Sequence, residues 1–206
     1  MTSCCKPSEY RRFFNRKFAQ RDLARYRRRG LTSTEHDLVT LCHELRGASV
    51  LEVGGGIGAL QVELIDAGAA RTTNVELSSA YEETAAELRG DRPIERVVAD
   101  FVESDVAVHD IVLLHRVVCC YPDVDALVGT AASRTTRVLA VTLPQQRRWI
   151  GWGVRAVNGW LRLSRCGFRT YQHPFASVAD AAAANGLRLE RRVRRGLLWE
   201  SASFAR

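Results

Sequence analysis

Long apolar runs are missing from this 206-residue chain, and with them any stretch of about 18 apolar residues able to span a bilayer. Its first residues, Met-Thr-Ser-Cys-Cys-Lys-Pro, contain no apolar signal segment, so a cytoplasmic setting is expected. Lysine is nearly absent, two against 28 arginines. Cysteine is present but unpatterned. Cys4, Cys5, Cys42, Cys119, Cys120 and Cys166 form two adjacent pairs and two singles, which match neither zinc nor redox spacing. Reduced thiols and no metal site are the expectation. Acids are scarce in one place: from Arg11 to Arg29 only Asp22 faces eight arginines and Lys17, a local balance of +8 against +7 for the whole chain. Such a segment attracts an anionic partner, whether a carboxylate or phosphate substrate, nucleic acid or a membrane surface; a solvated helix face is the plain alternative.

What is present centres on Val50 to Leu60, Val-Leu-Glu-Val-Gly-Gly-Gly-Ile-Gly-Ala-Leu. A strand-like run carries Glu52, passes into Gly54, Gly55, Gly56 and Gly58, and leads at once into helix-like sequence. Such a turn makes a shelf where a ligand approaches bare backbone N–H groups. Glu52 disfavours a phosphate there and favours a ligand with a cationic end, such as the ammonium and sulfonium of S-adenosylmethionine. Gly54-x-Gly56-x-x-Ala59 also meets the relaxed dinucleotide fingerprint, so NAD stays open at this point.

Around this motif the chain alternates. Aromatics at Tyr10, Phe13, Phe14, Phe18 and Tyr26 recur at helical spacing and predict a helix over 8–28, and Thr32-Ser33-Thr34-Glu35 caps a second helix reaching about Leu45. Strands are expected at 49–53, 72–75, 94–99, 110–114 and 137–143, with helices at 58–67, 79–88 and 123–132 between them. That pitch predicts a parallel sheet with helices on both faces. Helices over 146–164 and 175–184 follow, then strands 187–194 and 197–204, whose tight spacing requires an antiparallel hairpin. A single domain is expected, with 8–47 as a helical lid, 49–143 as cofactor-binding core, 144–174 as substrate-side insertion and 175–206 as helix and hairpin.

Ligands of open α/β sheets bind at the carboxyl ends of the strands. Strand 2 ends in Val75-Glu76-Leu77, and a carboxylate there can accept both hydroxyls of a ribose. Strand 3 ends in Ala99-Asp100-Phe101 and strand 4 in Leu114-His115-Arg116-Val117, followed by Cys119-Cys120-Tyr121-Pro122. His115 is a candidate general base, a carbonyl donor to a cofactor ammonium, or a structural histidine; Tyr121 is the second candidate base.

Glu52-x-Gly54-x-Gly56-x-Gly58 resembles the cofactor motif of class I S-adenosylmethionine-dependent methyltransferases. The resemblance covers roughly 49–204 and implies a seven-stranded, mostly parallel Rossmann-like sheet with a C-terminal antiparallel hairpin and an N-terminal helical lid. It also implies that Asp100 accepts from the adenine amino group and that Phe101 lines the ring. The loop Arg116-Val-Val-Cys-Cys-Tyr-Pro-Asp123 and Phe168-Arg169-x-Tyr171-x-His173-Pro174 are similar to the magnesium-protoporphyrin O-methyltransferase-related branch. Cys120 stands where porphyrin enzymes of that branch commonly have histidine, so no base carries over to it. The Asn/Asp-Pro-Pro-Tyr sequence of amino-group methyltransferases is absent. The expected substrate is a small or medium-sized anionic or aromatic molecule methylated on oxygen. It would be enclosed by the lid aromatics and by Trp149, Trp152 and Trp160, and paired by arginines at 27, 28, 29, 148, 155 and 169. The alternatives are a nucleic-acid-binding module or RNA methyltransferase on the same scaffold, and an NAD-dependent oxidoreductase.

Overall fold

The computed structural model describes Tyr10 and residues 13–206. Seven strands form one sheet: β1 (Ser49–Val53), β2 (Arg71–Glu76), β3 (Ile94–Val98), β4 (His109–His115), β5 (Thr135–Pro144), β6 (Arg188–Arg195) and β7 (Trp199–Ala205). Their order is β3-β2-β1-β4-β5-β7-β6. The first five run parallel, and β7 is antiparallel to both β5 and β6. The order reverses between β1 and β4, which opens a crevice at their carboxyl ends.

The strand cores explain the layering. Successive side chains point to opposite faces, so a strand covered on both sides must be apolar at every position. In β4, Val112 and Leu114 join one core with Leu127, Val128, Val178 and Ala182. Ile111 and Leu113 join the other with Leu23, Leu38, Leu60 and Leu64. The first core lies under α5 (Val124–Ser133) and α7 (Phe175–Ala183). The second lies under α1 (Arg16–Arg29), α2 (Ser33–Leu41) and α3 (Ala59–Asp66). The remaining helices are α4 (Glu82–Arg89) and α6 (Arg148–Leu163).

Two boundaries differ from the sequence expectation. The first helix does not run unbroken through Phe14 and Asn15. Asn15 is extended and its side chain accepts from the Phe18 N–H, so α1 starts afresh at Arg16; a short amide side chain that can bond a nearby backbone N–H favours a cap over a helix interior. The part of the expected helix at 8, 9, 11 and 12, like Cys4 and Cys5, lies outside the described residues. The second helix has the full capping box between Thr32 and Glu35 but ends at Leu41, with Glu44 left-handed at φ 57 as the chain turns toward β1. Its body is packed rather than draped: Thr34, Leu38 and Leu41 are buried against the sheet. Among the described residues no helix is long and apolar enough to cross a membrane.

Candidate functional site

The ends of β1, β2 and β4 open onto a cavity of about 450 Å³, walled on its outer side by Tyr10, Phe14 and by Phe18, Asp22 and Arg25 of α1. Its floor is the glycine loop. Gly54, Gly56 and Gly58 have φ of 68, 54 and 78°, the left-handed region that glycine enters without strain. Gly55 is glycine for a different reason: a Cβ there would lie 2.4 Å from Glu52 Oε2.

The expected shelf of bare N–H groups is corrected by this geometry. Gly54 N–H donates to the Val75 carbonyl (2.8 Å) and Gly58 N–H to the Gly55 carbonyl (2.9 Å). Gly55 N–H donates to Asn74 Oδ1 (3.3 Å) and Gly56 N–H to Glu76 Oε2 (3.0 Å). Four donors are thus used within the chain. What the glycines supply is close approach to the acids beneath and beside them. Gly58 caps α3 and does not line the cavity, unlike Gly54, Gly55 and Gly56.

Glu52 is 2% exposed, and its Oε2 has no partner within hydrogen-bond geometry among the described residues, although Gln61 and Arg96 lie near enough to the carboxyl to lower its pKa. Burial, reinforced by the negative charge of Glu35, pushes its carboxyl up to about 8. A buried carboxylate oxygen without a partner is costly until a donor or cation meets it. Glu76 differs. Its Oε1 accepts from Ser78 N–H (2.9 Å) and its Oε2 from Gly56 N–H, so its orientation is fixed although burial raises its pKa. Each oxygen of such a carboxylate keeps a lone pair for a hydroxyl.

Asp100 caps the turn Phe101–Glu103, accepting from Val102 N–H at 3.1 Å, and receives the Tyr121 hydroxyl at 3.4 Å. Leu77, Ala99 and Phe101 form the apolar wall beside it. The Tyr121 backbone is held in turn, its carbonyl 2.8 Å from His173 Nε2.

His115 faces the cavity, but its ring is tied to α2. Nε2 lies 2.9 Å from Thr34 Oγ1 and Nδ1 3.9 Å from Glu35 Oε1. Burial lowers its pKa to about 4, so the ring is neutral at pH 7. The next residue, Arg116, is left-handed at φ 55, a conformation that costs a non-glycine residue on the order of 1 kcal/mol. The guanidinium offsets this by donating to the same Thr34 Oγ1 (2.9 Å) and lying 4.5 Å over the Trp199 ring.

The structure therefore brings Glu52, Gly54, Gly55, Gly56, Glu76, Leu77, Asp100, Phe101, His115 and Tyr121 to one cavity. Of the expected substrate groups it brings the lid aromatics Tyr10, Phe14 and Phe18 there, but not the tryptophans or the expected arginines. Trp149, Trp152 and Trp160 are 49, 69 and 62% exposed and do not line it. Of the arginines expected to hold an anion, Arg27 pairs with Glu87, and Arg169 donates to the Cys166 and Phe168 carbonyls. The cations that do line the cavity, among the described residues, are Arg25 and Arg116. Asn74, which anchors Gly55, also went unnoticed in the sequence. A buried asparagine in the middle of strand 2, beside an apolar neighbour such as Val75, was the available signal. Glu35 was legible only as a helix cap. Here it also approaches Arg25 at 4.0 Å and lines the cavity.

No protein-family model matches the chain, and no curated protein matches it. Solved structures do. Magnesium protoporphyrin IX methyltransferase from Synechocystis PCC 6803 with bound SAH aligns at TM-score 0.67 and 21% identity over 97% of this chain and 93% of that one. With bound SAM the same protein aligns at TM-score 0.64 and 20% identity, over 97% and 90%. An S-adenosylmethionine dependent methyltransferase from Mesorhizobium loti aligns at TM-score 0.64 and 12% identity, over 83% of this chain and 96% of that one. At these identities the likeness is one of fold: the chain has the Rossmann-like fold of class I S-adenosylmethionine-dependent methyltransferases.

Proposed function

We propose that this protein is an S-adenosylmethionine-dependent methyltransferase acting on an oxygen of a small or medium-sized, aromatic and anionic molecule. The observation that carries the reading is the buried, unpartnered Oε2 of Glu52 on the cavity floor, with Glu76 and Asp100 at the next two strand ends. Three acids suit a ligand with a cationic end, a ribose diol and an exocyclic amine. The loop N–H groups that would cradle the pyrophosphate of a dinucleotide are already used within the chain, which argues against NAD. A volume of about 450 Å³ is within the range of small-molecule sites. The fold it shares with structures holding SAM and SAH agrees with this assignment.

When bound, the cofactor supplies a methyl group on a sulfonium with its leaving group already in place. The chain's own residues then have three tasks. Glu52, ionised once a cationic ligand lies beside it, balances positive charge. Glu76 and Asp100 fix orientation, and the aromatics before and in α1 exclude water, so that proximity does most of the catalytic work. Arg116 and Arg25, the cations that line the cavity among the described residues, hold an anionic acceptor. A carboxylate acceptor is already ionised at pH 7 and needs no base. A neutral His115 bonded to Thr34 fits a positioning role better than that of a base, and Tyr121 remains the hydroxyl nearest Asp100. The nucleic-acid alternative loses ground, because Arg16 and Arg27 of the basic helix pair with Glu83 and Glu87 of α4.

Calorimetry with S-adenosylhomocysteine and with NAD tests the cofactor. Binding of NAD alone would overturn the reading. Cell extract incubated with methyl-labelled cofactor tests the acceptor, and label found only on macromolecules, or on nitrogen or carbon, would refute O-methylation of a small molecule.

A further inference from the structure

We propose that α6 docks this protein on an anionic membrane surface, lying among the headgroups with its tryptophan face inserted. Trp149, Trp152, Ala156, Trp160 and Leu163 follow one another at intervals of three or four and so share one helix face. That face is turned to solvent: Trp152, Trp160 and Leu163 are 69, 62 and 86% exposed. The helix is not there by default, since its inner side is anchored, with Ile150 and Leu161 buried. A contiguous apolar patch of this kind marks an interaction surface.

The chemistry of the edge names the partner. Arg148, Arg155 and Arg162 recur every seven residues and flank the tryptophan face, with Arg147 and Arg165 at the two ends. No Asp or Glu occurs between Asp125 and Asp180. Tryptophan beside arginine suits the bilayer interface, where the ring meets acyl chains and the guanidinium meets lipid phosphate. At 16 residues, three of them arginine, α6 is too short and too charged to span a bilayer, and lying in its plane is the remaining arrangement. A second copy of this basic chain would bring arginine rows against one another. Single-stranded nucleic acid would engage the rings but leave Leu163 unmatched.

A second apolar element sits beside the start of α6. Gln145 donates its side-chain amide to the carbonyls of Gly196 (3.0 Å) and Trp199 (2.8 Å), and its N–H to that of Leu198 (2.8 Å). These bonds hold the β6–β7 turn, whose Leu197 is 67% exposed, next to the helix. The inner face of α6 also leads to the cavity. Leu161 packs with Phe168, which stands 5.3 Å from each of the rings of Tyr10 and Phe14 in the cavity wall. Docking by α6 would set that wall about one helix diameter, roughly 10 Å, from the lipid. The inference does not depend on methyl transfer.

Co-sedimentation of the full chain with phosphatidylcholine vesicles, with and without phosphatidylglycerol, tests it, with tryptophan emission as second readout. The expected result is binding to the anionic vesicles with a blue shift. Binding should weaken about tenfold or more in Trp152→Ser/Trp160→Ser/Leu163→Ser, because interfacial affinity scales with inserted apolar area. Arg148→Gln/Arg155→Gln/Arg162→Gln should lose the preference for anionic lipid. Should the triple serine variant misfold, Trp152→Ser alone carries the test. Wild-type protein left in the supernatant at low salt would overturn the proposal, as would a correctly folded serine variant that binds like wild type. A dimer in light scattering, or retention on single-stranded RNA, that the serine variant abolishes in the absence of vesicle binding would assign the face to that other partner instead.

Discussion

Helices α1 and α6 are made of the same materials, arginines interleaved with aromatics, and the fold treats them in opposite ways. Three of the six α1 arginines find acids on neighbouring elements. Arg16 and Arg27 reach Glu83 and Glu87 of α4, and Arg25 approaches Glu35 of α2. Phe18, with Phe14 just before the helix, turns inward to wall the cavity. Arginines of α6 have no acid on their own helix, and its tryptophans face outward. The difference lies in the neighbours. Composition predicts that an anion is wanted; only the packed partner says whether the protein supplies it itself.

The contrast can be broken most sharply through stability. Leu38→Ala in α2, at a fully buried position against the sheet, should cost about 2–5 kcal/mol in urea denaturation. Trp152→Ser in α6 should stay within about 0.5 kcal/mol of wild type, as an exposed substitution does. Equal losses would mean that α6 is packed after all.

Affinity should separate the two regions next. Glu52→Gln should weaken S-adenosylhomocysteine or S-adenosylmethionine binding about ten- to a hundredfold, the worth of a hydrogen bond to a charged group, about 1.5–3 kcal/mol. It should leave vesicle binding through α6 unchanged. Unaltered cofactor affinity would remove Glu52 from the site.

The pH dependence of stability sharpens the cavity side further. Glu52 has a folded pKa of about 8 against 4.5 unfolded, so the folded state holds the extra proton and stability falls as pH rises across that window. His115 works in the opposite sense. Its folded value of about 4 against 6.5 means that the unfolded state binds the proton, and stability rises with pH from about 4 to 6.5. The two offset each other at lower pH, and from 6.5 to 8 the fall due to Glu52 is left. Glu76 and Asp22, also raised by burial, act in the same sense as pH rises from their ordinary carboxylate values. Thermal midpoints across that range should decline in wild type and decline less in Glu52→Gln. A small effect belongs to the exposed pair at the C-terminal end of α1: Arg27→Ala should change stability by no more than about 1 kcal/mol, and less in high salt.

The strands were legible because their signal is local. β4 and β5 are near-continuous apolar runs, as central strands require, while β2 and the hairpin carry polar residues and are placed by the turns that bound them. All lie within about two residues of the expected ends. The glycine loop was legible for the same reason: left-handed backbone at Gly54, Gly56 and Gly58 is written in residue type. The acids Glu52, Glu76 and Asp100 could be placed at one mouth because parallel strands share a direction, so their carboxyl ends fall together.

Other features were decided only when the chain closed. That three of the loop N–H groups are taken by Asn74, Glu76 and the Val75 carbonyl depends on β2 lying beside β1. That His115 and Arg116 meet at Thr34 depends on a contact across some eighty residues, as their sequence separations of 81 and 82 record. The inward turn of the α1 aromatics and the outward turn of the α6 tryptophans cannot be read from a helical wheel, which gives the face but not what the face meets. By itself the sequence determined the fold class, the position of the loop and the acids around it, since these follow from backbone preference and apolar periodicity. The tertiary structure decided which donors are already used, which charges are already paired and which apolar face is left uncovered, because each of those is a property of two segments brought together.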